Sequence, residues 1–158
     1  MDTIAHTLQI AYKEYATVDA LPADDRVLMQ AAIDATATAY APYSNFHVGA
    51  AVRLSSGVIV KGSNQENAAY PSGLCAERTA LFAAGSQHSH DAVVALAIVA
   101  RNEQGLLVEA SPCGACRQVL LESQQRAGAP VRVLMYREGG SVREVEDAAT
   151  LLPFSFSM

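Results

Sequence analysis

Ala92-Val93-Val94-Ala95-Leu96-Ala97-Ile98-Val99-Ala100 is a nearly continuous apolar run. Such a run is expected of a β-strand covered on both faces. Segments on either side read as its cover: Glu77 to Ala84 and Arg117 to Arg126 both carry a helical pattern. Val131 to Tyr136 reads as a further strand. Val48 to Leu54 and Val58 to Lys61 are β-prone runs on either side of Ser55-Ser56-Gly57, a hairpin signal. Strands alternating with helices imply an α/β layered domain.

Towards the N-terminus, residues 2–16 place Ile4, Leu8, Ala11, Tyr12 and Tyr15 at helical spacing, with Lys13 and Glu14 on the other side. The spacing predicts a surface helix whose apolar stripe packs on its own subunit, ending at Leu21-Pro22. Asp24 and Asp25 are then placed to cap a second helix, with Leu28, Ala31, Ala32, Ala35 and Ala39 on its apolar face. Residues 1–24 are thus expected to form an N-terminal helical extension and residues 25–158 the principal domain. Neither a repeat nor a long linker divides the chain.

At 158 residues, with 51% hydrophobic and 17% charged, the chain suits one domain with a sizeable core. Sixteen acidic against 11 basic residues give a formal charge of −5, and the pI is near 5.3. That balance argues against nucleic acid and anionic membrane as partners, since both need a cationic footprint. The start of the sequence has neither a basic region nor an apolar run of the signal-peptide kind. No uninterrupted apolar run reaches membrane-spanning length. A cytoplasmic location is expected.

The three cysteines are an odd number, so a disulfide framework would leave one over. Metal binding or catalysis is the better use. Cys75-Ala76-Glu77-Arg78 opens one predicted helix and Pro112-Cys113-Gly114-Ala115-Cys116 opens the next. Cys113 and Cys116, three apart in a first helical turn, can face one point. If the two helices lie side by side, Cys75 can join them. Helix N-termini lower thiol pKa values and so favour metal-binding thiolate. Three protein ligands with a fourth position open is the coordination pattern of catalytic zinc. A free cysteine is usually a small buried hydrophobe, and a lone Cys-x-x-Cys can be redox-active. Neither explains Glu77 two residues beyond Cys75.

These motifs resemble the zinc-dependent nucleobase deaminases, whose signature joins a glutamate to a Pro-Cys-x-x-Cys run. More specifically, the chain resembles the cytidine deaminase family of the homotetrameric, three-cysteine zinc type. The resemblance runs through Ala41-Pro42-Tyr43-Ser44-Asn45-Phe46-His47-Val48-Gly49-Ala50-Ala51 and Asn64-Gln65-Glu66-Asn67-Ala68-Ala69-Tyr70. It continues through Cys75 to Ala80, Pro112 to Gln118 and the tail Leu151-Leu152-Pro153-Phe154-Ser155-Phe156. Three departures stand out: His47 where the family commonly has proline, a bulky Phe154, and an N-terminal extension.

The resemblance implies a three-layer α/β/α sandwich around a mixed five-stranded sheet. It implies one Zn2+ per chain on Cys75, Cys113 and Cys116, and hydrolysis of cytidine and deoxycytidine with loss of ammonia in pyrimidine salvage. Glu77 is the implied proton shuttle. Arg78 is the implied tuner of the metal, hydrogen-bonding the cysteine sulfurs and withdrawing charge. Asn64 and Glu66 are implied to bind the ribose 3′-hydroxyl, and Phe46 to pack beside the pyrimidine. Ala76 offers its backbone to the base, and Phe156 enters the active site of a neighbouring subunit. By residue type alone, Asn64 is as readily a turn residue, Phe46 a core residue and Arg78 a solvated surface cation. A carboxylate at the sugar would repel a 5′-phosphate, so a nucleoside is expected rather than a nucleotide. A sister deaminase acting on blasticidin S would share the metal and glutamate motifs, but the Asn64–Tyr70 segment favours cytidine. A structural zinc module would need a fourth protein ligand, and none stands at matching spacing.

Overall fold

The run that opened the sequence analysis is a central strand. In the computed structural model, which describes residues 3–158, Val93–Arg101 forms β4, and its residues from Ala95 to Ala100 are buried. Its neighbours follow from the same logic. The hairpin is β2, His47–Leu54, and β3, Ile59–Ser63, with Gly57 in the turn at φ 91°. Only glycine takes that backbone without strain. Preceding them are β1, Lys13–Tyr15, and α1, Ala23–Ala35; α2, Ala76–Gln87, lies between β3 and β4. After β4 come β5, Leu107–Val108, α3, Gly114–Ala127, β6, Arg132–Tyr136, and β7, Val142–Val145.

The strands make one mixed sheet in the order β1-β7-β6-β4-β2-β3, with β5 paired to the end of β4. Only β4 and β6 run parallel, because α3 carries the chain back between them. Alternation along the strands then sorts residues into two cores. Ala51, Ala95, Ala97, Val99 and Leu134 face α1 through Leu28, Met29 and Ala32. Ala50, Val52, Leu96, Ile98 and Val133 face the other way, against Ala76, Ala80, Leu81 and Leu120. Three layers result, as expected. The sheet has seven strands rather than five. β1 and β5 are the two short additions, and the five longer strands are the rest.

Glycine decides how closely α2 rides on the sheet. A Cβ on Gly62 of β3 would collide with the backbone of Ala76 and Ala80. The first turn of α2 therefore lies directly on β3, and that contact positions the residues around Cys75. Among the described residues no helix is long and apolar enough to cross a membrane.

Two expectations are corrected at the N-terminal side. The helix predicted over 2–16 does not form; residue 2, and residue 1 of the extension, lie outside the described residues. Residues 3–12 have no regular secondary structure, and β1 pairs antiparallel with β7 through Lys13↔Glu144 and Tyr15↔Val142. Ile4, Leu8 and Tyr12 are exposed, and of the stripe Tyr15 packs against the α1-side core. A short helix without a tertiary face to bury is marginal, whereas the open edge of β7 offers backbone hydrogen bonds at once. Tyr15 then donates its hydroxyl to Glu144 Oε2 at 2.8 Å, and the Arg143 guanidinium stacks over Tyr12 at 4.6 Å.

The second correction concerns Asp25. Pro22 occupies the N-cap of α1, and no side chain caps there. Asp25 instead turns inward, 2% exposed, to meet Arg53 Nη2 at 3.2 Å and Arg132 Nη2 at 2.6 Å. Arg132 Nε continues to Glu144 Oε1 at 2.7 Å.

Candidate metal centre and active site

Cys75 and Cys113 occupy the N-caps of α2 and α3, so each enters its helix with extended backbone and its sulfur free of any capping bond. Cys116, in the first turn of α3, is fully buried. The Sγ atoms of Cys75 and Cys113 stand 3.9 Å apart, those of Cys113 and Cys116 3.5 Å, and all three lie within 4.8 Å of one another. Sulfurs about 2.3 Å from one tetrahedral zinc would stand about 3.8 Å from each other. The donor set fits that ion in number, chemistry and spacing. All three cysteines are free thiols.

Electrostatics around the sulfurs favour a thiolate. Hydrogen bonds from Cys116, Arg78 and Cys113 outweigh burial at Cys75 and bring its thiol down to about 5. Cys116 moves the other way, pushed up by its hydrogen bond to Cys75 and by burial. Arg78 Nη2 donates to Cys75 Sγ at 3.4 Å, and its buried Nε has no partner among the described residues. The guanidinium is thus drawn towards sulfur rather than towards a carboxylate.

Glu77 sits in the first turn of α2 and is 3% exposed. Burial pushes its carboxyl up to about 7, and the charge at Cys75 adds to that. No arginine or lysine pairs with it among the described residues. A carboxyl near neutrality beside a metal-ligand cluster can hold or release a proton at physiological pH. Ala76, between Cys75 and Glu77, has its side chain in the core, which leaves only its backbone to face a ligand.

A cleft of about 650 Å³ opens beside the cysteines, walled by Tyr43, Asn64, Glu66, Tyr70, Cys75 and Arg78. Asn64 Oδ1 accepts from Val48 N at 2.8 Å, and Nδ2 donates to Phe46 O at 2.9 Å. One N–H of that amide is left over. Glu66 accepts from Tyr43 N at 2.9 Å, from Ser44 N at 3.3 Å and from the Ser44 hydroxyl. The Ser44 hydroxyl bond holds the Glu66 carboxyl below the usual carboxylate range. Both residues therefore anchor the 43–48 segment and line the cleft at once.

Phe46 and Phe156 are not among the residues lining this cleft. Phe46 is 40% exposed at the start of β2, and Phe156 is 72% exposed on the C-terminal tail. The tail is held over α3 by Arg117 Nη1 to Leu151 O at 2.8 Å and Gln118 Nε2 to Phe156 O at 3.2 Å. Tyr43, Ser44 and Tyr70 drew no role from the sequence. A serine two residues before Phe46 in a Pro-Tyr-Ser-Asn turn was the available signal, since short hydroxyl side chains bond backbone two residues on.

Comparison with known proteins agrees with this geometry. The family described as the cytidine and deoxycytidylate deaminase zinc-binding region matches residues 22–129. A cytidine deaminase of Halalkalibacterium halodurans is 42% identical over 134 residues, which cover 85% of this chain and 95% of that protein. The crystal structure of cytidine deaminase from Burkholderia pseudomallei is 39% identical with a TM-score of 0.69, covering 82% of this chain and 97% of the other. That from Mycobacterium tuberculosis is 35% identical with a TM-score of 0.67, covering 87% and 100%.

Proposed function

The chain belongs to the cytidine and deoxycytidylate deaminase family, and we propose that it hydrolyses cytidine and deoxycytidine to uridine and deoxyuridine, releasing ammonia. The observation that carries this reading is one constellation: three sulfurs converging at two helix starts, with Glu77 buried beside them. Cys75, Cys113 and Cys116 would hold one Zn2+ per chain. Bound there, zinc supplies an acidified water as nucleophile at neutral pH.

The protein's own residues do the rest. Glu77, buried beside the sulfurs, accepts the proton released by the attacking water. It delivers that proton to N3 of the pyrimidine, which makes C4 more electrophilic. It then takes the second proton from the hydroxyl formed at C4 and gives it to the amino group, which leaves as ammonia as the C4 carbonyl forms. Its burial keeps those protons from exchanging with bulk water. Arg78 draws negative charge off Cys75, so three thiolates do not over-neutralise the ion. The backbone of Ala76 orients the base; Phe46, outside the cleft lining with its ring partly exposed, would turn in to pack beside it.

Recognition of the sugar follows from what the cleft leaves unpaired. Asn64 keeps one N–H, and Glu66, with three donors already bound, keeps one acceptor site. A hydroxyl both donates and accepts, so one ribose hydroxyl satisfies the pair. That hydroxyl is the 3′, which makes cytidine and deoxycytidine equivalent there. The ionised Glu66 repels a 5′-phosphate, and cytidine monophosphate is a poor substrate. Residues 25–158 carry the catalysis, in a reducing cytoplasm as part of pyrimidine salvage. The working assembly is a homotetramer in which Phe156 of one copy reaches the site of a neighbour, consistent with its exposed ring.

Incubation with cytidine while following the ultraviolet change to uridine tests the reading. Metal analysis of protein purified without added zinc should find about one equivalent per chain. Cys113→Ala should lose both metal and activity; full retention of both overturns the assignment. Preferential turnover of blasticidin S would move the chain to the sister activity.

A further inference from the structure

Ser44 is exposed and supports no core, yet it makes three hydrogen bonds. Its hydroxyl donates to Glu66 Oε1, its backbone N–H donates to Glu66 Oε2 at 3.3 Å, and its oxygen accepts from Phe46 N at 3.1 Å. Between Ser44 and Phe46 the chain turns at Asn45, whose φ is 52°. That left-handed residue folds the segment back so that one hydroxyl can reach Glu66 and Phe46 together. From the opposite side, Asn64 fixes the carbonyl of Phe46.

We infer that Ser44 is a positioning residue which sets the direction of the one acceptor that Glu66 has free. The inference rests on the proposed contact between Glu66 and the 3′-hydroxyl. A carboxylate on a flexible side chain can rotate about its terminal torsion. Two backbone N–H groups, one of them at 3.3 Å, hold only Oε2 against that rotation. The Ser44 hydroxyl removes that freedom, so the remaining lone pair points into the cleft.

The test pairs Ser44→Ala with cytidine and 3′-deoxycytidine. For cytidine, kcat/KM should fall about tenfold, mainly through KM, as for one hydrogen bond to a charged group. Zinc content and Tm should match wild type, because the side chain is exposed. For 3′-deoxycytidine, wild type and Ser44→Ala should agree within about twofold, since no hydroxyl remains for Glu66 to orient. Ser44→Thr, which keeps the hydroxyl, should restore most of the loss with cytidine. Equal losses on both substrates would overturn the role of Ser44 while leaving the Glu66 contact intact. If wild type itself handles cytidine and 3′-deoxycytidine alike, the Glu66 contact fails and the inference falls with it.

Discussion

The two faces of the sheet bury carboxylates for opposite ends. On the α1 face, Asp25 and Glu144 are 2% and 1% exposed, and both are paired. Asp25 meets Arg53 and Arg132, and Glu144 meets Arg132 and the Tyr15 hydroxyl. Burial alone would raise the Asp25 carboxyl, but the two guanidinium groups outweigh it and hold it below the ordinary value. On the α2 face, Glu77 is 3% exposed and has no cationic partner among the described residues, so burial wins and its carboxyl rises to about 7. A buried acid matched by arginine is inert framework. A buried acid left beside sulfurs is poised to carry a proton.

Breaking the framework pair should give the largest stability effect. Asp25→Ala leaves Arg53 without a carboxylate and Arg132 with Glu144 alone, and should cost about 3 kcal/mol, the lower end for a broken buried pair, because both arginines keep some solvent contact. Chemical denaturation measures this, and kcat of the folded fraction should be unchanged. A fall in kcat with stability intact would erase the distinction between the faces.

A smaller effect separates the faces by pH in metal-free protein. The Glu77 carboxyl is raised from 4.5 to about 7, so the folded state binds its proton more tightly than the unfolded chain. Its contribution to stability is present below about pH 4.5 and is lost as pH rises through about 7. Glu77→Gln removes that titration. The variant should therefore gain stability relative to wild type between pH 5 and pH 8, read from thermal melts at both. A constant gap across that range would contradict the burial argument.

The smallest effect sharpens the picture of the edge. Tyr15→Phe deletes the hydroxyl donor to Glu144 and should cost about 1 kcal/mol, since Arg132 still holds that carboxylate. Deamination should not change. A loss above about 3 kcal/mol would mean that β1 carries far more of the fold than one charged hydrogen bond supplies.

What could be read in advance was local. Cys113 and Cys116 are three apart at a helix start, Glu77 is two beyond Cys75, and the apolar run around Leu96 announces a covered strand. Each depends on neighbours in sequence. Asp25 was misread because a helix start favours acidic caps, while its actual partner Arg132 lies 107 residues away. The stripe of Ile4, Leu8, Tyr12 and Tyr15 has helical period, but period cannot reveal that the open edge of β7 is there to be paired. Glu66 and Asn64 were tied to a sugar by resemblance. Their bonds to the 43–48 segment cross 16 to 23 residues, and no spacing rule reaches that far. That Glu77 lacks a counter-charge is likewise a fact of packing.

The proposed reaction uses Glu77 as the proton carrier, and Glu77→Gln tests it most directly. The variant keeps shape and hydrogen-bonding size but cannot exchange a proton. Zinc per chain and cytidine turnover should be measured on the same purified sample. Zinc should remain at about one per chain, while kcat falls on the order of 10² to 10⁴ or more. Fully metallated Glu77→Gln protein that deaminates cytidine within about tenfold of wild type would contradict that role.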